Sequence, residues 1–64
     1  DSTYGFGHLS FSVNDVHEAL NAVIKGGGGS VGEVVTVEVP NRGLLTEVYA
    51  TDPEGNIIEL QSYA

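Results

Sequence analysis

Sixty-four residues suffice for one small domain and leave no room for a second core. Two basic residues against nine acidic ones leave a net charge of −7, which argues against nucleic-acid backbones and anionic membrane surfaces as partners. The chain has no cysteine, so neither disulfides nor a cysteine metal cluster can supplement so small a core. No apolar run approaches the ~20 residues of a membrane span and nothing reads as a secretory signal, so a cytoplasmic setting is expected.

Residues Phe6 to Val13 alternate, with Gly7, Leu9, Phe11 and Val13 on one side and Phe6, His8, Ser10 and Ser12 on the other. Period two is the mark of a half-buried strand. Asp15 followed by Glu18 has the form of a capping box, and Val16, Ala19, Leu20, Val23 and Ile24 then make one apolar stripe at helical spacing. The spacing predicts a helix over Val16 to Lys25, with Lys25 at the end the macrodipole favours for a cation and Gly26 supplying a left-handed stop. Its stripe is expected to pack on Leu9, Phe11, Ile58 and Leu60. Gly26 to Ser30 reads as a flexible connection, and Glu33 to Val39 as a strand closed by Pro40. After the turn Pro40-Asn41-Arg42-Gly43 comes a strand over Leu44 to Thr51, then a strong turn, Asp52-Pro53-Glu54-Gly55-Asn56, and a last strand over Ile57 to Tyr63.

The order β-α-β-β-β predicts an α+β module: a mixed four-stranded sheet with one helix on one face. The other face is then wet, ligand-filled or covered by a partner. If Ile58 and Leu60 face the helix, Ile57, Glu59 and Gln61 share the uncovered face with His8. An imidazole and a carboxylate on one open face are candidate ligands of a divalent metal. On pattern alone an exposed His and Glu on a solvated sheet is the favoured reading of the two. Glu47, Tyr49 and Thr51 alternate together in the third strand and are candidate substrate contacts, while Leu44, Val48 and Ala50 are expected under the helix. His17 reads as a solvated helix position. The four-glycine run lacks the Gly-Lys-Ser/Thr of a phosphate loop, and His8 and Ser10 on one strand do not orient a base toward a nucleophile.

The runs Gly7-His8-Leu9-Ser10-Phe11-Ser12-Val13 and Asp52-Pro53-Glu54-Gly55-Asn56-Ile57-Ile58-Glu59-Leu60 resemble the two ends of a module of the vicinal oxygen chelate superfamily. That group includes lactoylglutathione lyase (glyoxalase I), bleomycin resistance proteins, extradiol dioxygenases, fosfomycin resistance enzymes and methylmalonyl-CoA epimerase. The resemblance covers nearly the whole chain, and the Asp-Pro-Glu-Gly-Asn turn with the strand after it is its most specific part. It implies that His8 and Glu59 bind a divalent metal, with zinc, nickel, cobalt, iron and manganese as candidates. It further implies a small-molecule substrate and a lyase or isomerase reaction, in which Glu59 takes a proton from carbon beside a carbonyl and the metal stabilises an enediolate.

Two modules pair in this superfamily, within a chain or across a homodimer, and cup the site between them. A single module offers too few ligands. The tail after Glu59 and the absence of an initiating methionine lead us to expect that residues 1–64 are the C-terminal half of a two-module protein. A metal-free binding protein of the bleomycin-resistance type, whose cup takes a cationic ligand and suits the −7 charge, is the main alternative. An extradiol dioxygenase, which needs a further histidine from the other module, is a third.

Overall fold

A computed structural model describes residues 9–64, which form strand β1 (Leu9–Ser12), helix α1 (Val16–Lys25) and strands β2 (Gly29–Val39), β3 (Gly43–Thr51) and β4 (Ile57–Tyr63). The strands make one sheet in the order β1-β4-β3-β2. β1 runs parallel to β4, and the other two pairings are antiparallel, so the sheet is mixed. The β-α-β-β-β module with one helix is therefore as the sequence predicts. Phe6, Gly7 and His8, the first half of the predicted first strand, lie outside the described residues. The Val13 N–H continues the ladder past Ser12 by donating to the Gln61 carbonyl at 2.8 Å.

The helix has the limits its sequence signals set. Asp15 is extended and its carboxylate accepts from the Glu18 N–H at 3.0 Å, satisfying one of the free donors of the first turn. At the other end Gly26 is not left-handed (φ −82°); Gly27 is, at φ 104°. Gly27 donates to the Ile24 carbonyl at 3.0 Å and Gly28 to the Val23 carbonyl at 2.9 Å, the two bonds of a Schellman stop. The glycine run is thus structured rather than a loose connection. Gly29 and Ser30 already belong to β2, opposite Thr51 and Ala50. Glycine has little intrinsic preference for strands, so the pairing with β3 is what extends this one backwards.

The core consists of Val16, Val48, Ala50, Ile58 and Leu60, with Val13, Ala19, Leu20, Val23 and Val34 half-buried around it. The expected stripe is confirmed at Val16 and in part at Leu20 and Val23, but Ile24 is exposed. Leu9 and Phe11 keep 56% and 46% of their surface accessible, contrary to expectation. Their register beside Ile58 and Leu60 does put them on the helix side. Among the described residues, however, α1 packs on β2, β3 and β4 and not on β1. Leu44 is exposed as well. Ten helical residues span about 15 Å while the nine of β3 span about 30 Å, so the helix cannot reach the far end of that strand.

Candidate functional site on the open sheet face

The turn before β4 sets the register of the site. Asp52 Oδ1 accepts from the backbone N–H groups of Glu54 (2.9 Å) and Asn56 (2.8 Å), and Oδ2 accepts from Asn56 Nδ2 (3.0 Å). Gly55 takes φ 90°, a conformation that a side chain would strain. These bonds, that of Asn56 foremost, hold the Asp52 carboxyl below its ordinary range. A fixed turn starts β4 in one phase: Ile58 and Leu60 go into the core, and Ile57, Glu59 and Gln61 come out on the face without a helix.

Cross-strand partners lie side by side on one face, and the register spells that face out. One row reads Val31, Tyr49, Glu59, Ser10 across β2, β3, β4 and β1; the next reads Val35, Glu47, Gln61, Ser12. Thr51 beside Ile57, and Leu45 between Val37 and Tyr63, flank these rows. The face is apolar toward β2 and polar toward β1, with Val31, Val35, Val37, Tyr49, Ile57 and Tyr63 all exposed. At the hairpin end the Arg42 guanidinium lies 5.0 Å from the centre of the Tyr63 ring.

Glu59 is the centre of the polar half. Ser10 Oγ donates to Glu59 Oε1 at 3.0 Å. On the other side the Glu47 carboxyl, one diagonal step away on β3, is hydrogen-bonded to Glu59. That bond, helped by partial burial and by the negative charge of Glu59, raises the Glu47 carboxyl above its ordinary value of 4.5.

The structure thus brings Glu47, Tyr49 and Glu59 together, with Thr51 on the same face one row away. His8, the other expected ligand, lies outside the described residues. The residue that sequence reasoning passed over is Ser10. Alternation in β1 predicts its face, and the parallel register, which no local signal reveals, sets it beside Glu59. As to a metal, a carboxylate set on an open face fits one ligand position of a divalent ion. Among the described residues no group of three His, Cys, Asp or Glu side chains is gathered to hold an ion.

The family model for the Glyoxalase/Bleomycin resistance protein/Dioxygenase superfamily matches residues 1–60, and the chain belongs to that superfamily. Comparison with curated proteins returns no significant match. Members of the superfamily usually bind divalent metals. Among the described residues no helix is long and apolar enough to cross a membrane.

Proposed function

We propose that this chain is one module of a glyoxalase-type, metal-dependent lyase or isomerase, which removes a proton from carbon next to a carbonyl of a small molecule. The observation that carries the reading is Glu59, held on the open face by Ser10 and Glu47 within the Asp52–Leu60 run that carries the family resemblance. His8 and Glu59 would hold the metal. When bound, a divalent ion supplies a Lewis acid that makes the carbon-bound proton more acidic and stabilises the charge left behind. The carboxylate of Glu59 is the base that accepts this proton. Tyr49, its direct cross-strand neighbour, and Thr51 line the approach, and the valines of β2 offer an apolar floor. A single open face excludes no water, and the ligand set is incomplete. The working unit is therefore a pair of modules, in one longer chain or as a homodimer.

The test is exchange with solvent. The intact protein, loaded with zinc, nickel, cobalt or manganese, is incubated in D2O with hemithioacetals of 2-oxoaldehydes and with 2-hydroxycarbonyl compounds, and NMR follows deuterium at the carbon beside the carbonyl. Metal-dependent incorporation is expected, together with sedimentation as a paired assembly. A second reading rests on the exposed Val31, Val35, Val37 and Tyr49 beside acidic groups: a metal-free cup for a cationic, largely apolar ligand. Absence of exchange with every metal, alongside tight binding of such a cation, would establish that reading instead.

A further inference from the structure

Two serine hydroxyls of β1 stand on the open face, each beside a polar residue of β4: Ser10 beside Glu59 and Ser12 beside Gln61. Of these two serines only Ser10 bonds to its β4 neighbour, through the 3.0 Å bond from Oγ to Glu59 Oε1. A glutamate on a half-open sheet has three rotatable side-chain bonds and many orientations. A serine has one, and its Oγ position follows from the backbone of β1. The bond therefore adds the rigidity of the β1–β4 pairing to a side chain that Glu47 contacts from the β3 side. It does so with a neutral donor, which sets no positive charge beside the carboxyl, where an arginine or lysine in the same place would repel a cation.

We propose that Ser10 is the positioning residue of Glu59: its hydroxyl holds Oε1 so that the carboxylate meets a divalent cation already oriented. This rests on the reading of Glu59 as a metal ligand. Partners of this kind, bonded to the ligand and not to the metal, set ligand orientation and so metal affinity.

The experiment is calorimetric titration of Zn²⁺ and Mn²⁺ into the intact protein and into Ser10→Ala, Ser10→Thr, Ser12→Ala and Glu59→Gln, with thermal melts to compare folding. Ser10→Ala is expected to bind roughly 10-fold more weakly, Ser10→Thr to restore affinity through its own hydroxyl, Ser12→Ala to match wild type, and Glu59→Gln to lose binding. If Ser10→Ala matches wild type while Glu59→Gln loses binding, the positioning role is overturned and the ligand role of Glu59 stands. Equal weakening by Ser10→Ala and Ser12→Ala also overturns it, since the effect then belongs to the strand. If wild type and Glu59→Gln bind alike, or neither binds, the ligand reading falls and the positioning role falls with it.

Discussion

Glu47 and Glu59 sit on adjacent antiparallel strands, one diagonal step apart, and their carboxyl groups are hydrogen-bonded to each other. That contact raises the Glu47 carboxyl above its ordinary range.

Glu59→Gln tests the proposed base without dismantling its surroundings. The amide oxygen can still accept from Ser10 and the amide N–H₂ can donate to Glu47. The fold should be retained, with a melting temperature close to wild type, while solvent exchange at the substrate carbon falls by about 10²–10⁴-fold. Full exchange activity in this variant would remove Glu59 from the chemistry.

Core and surface separate sharply along the helix and β3. Val48 is almost wholly buried, whereas Ile24 is exposed despite its place in the helical stripe. Val48→Ala removes two buried methyl groups and should cost about 2 kcal/mol, with Ile24→Ala costing well under half of that. Urea unfolding of both variants checks the order, and a larger loss at Ile24 would show that α1 is seated differently.

Gly28 lies where the end of the helix meets β3. A Cβ there would fall on the Thr51 carbonyl oxygen and 2.7 Å from Val23 Cγ1. Neither the backbone nor the packed valine can yield cheaply, so Gly28→Ala should lose about 1–3 kcal/mol or more, visible as a lowered melting temperature. Gly55, by contrast, has open space around it and requires glycine for its φ of 90° alone.

The Asp52 turn predicts an acid limb to stability. Because the folded carboxyl titrates below its free value of 3.8, its bonds favour the native state fully above that pH, and their contribution is lost as pH falls through the folded value. Urea midpoints measured downward from about pH 5 should therefore fall less steeply in Asp52→Asn than in wild type. Equal slopes would show that the turn is not titrating with the fold.

How far the sequence could be read depended on how local each signal was. The limits of α1 and β4 are written in neighbouring residues, the Asp15 cap and the Asp52–Asn56 turn, and both elements begin and end where those signals place them. The start of β2 was not legible, since Gly29 and Ser30 are strand only because Thr51 and Ala50 lie opposite. Alternation gave Leu9 and Phe11 the right side of the sheet but not their exposure, because it says nothing of where the helix crosses. On β4, alternation puts Glu59 on the face opposite Ile58 and Leu60, as the structure has it. The contacts around it, Ser10 on one flank and Glu47 on the other, depend on register across strands far apart in the chain.

The parallel union of β1 with β4 joins the first and last elements, with Ser10 and Glu59 separated by 49 positions. Closing so long a loop is entropically costly and slow compared with forming either antiparallel hairpin. During synthesis β2 and β3 can associate as soon as they emerge, while β1 must wait for the final strand. The Ser10–Glu59 contact is thus a mark of completion: a chain interrupted before Ile57 can retain a hairpin and a helix but cannot form it.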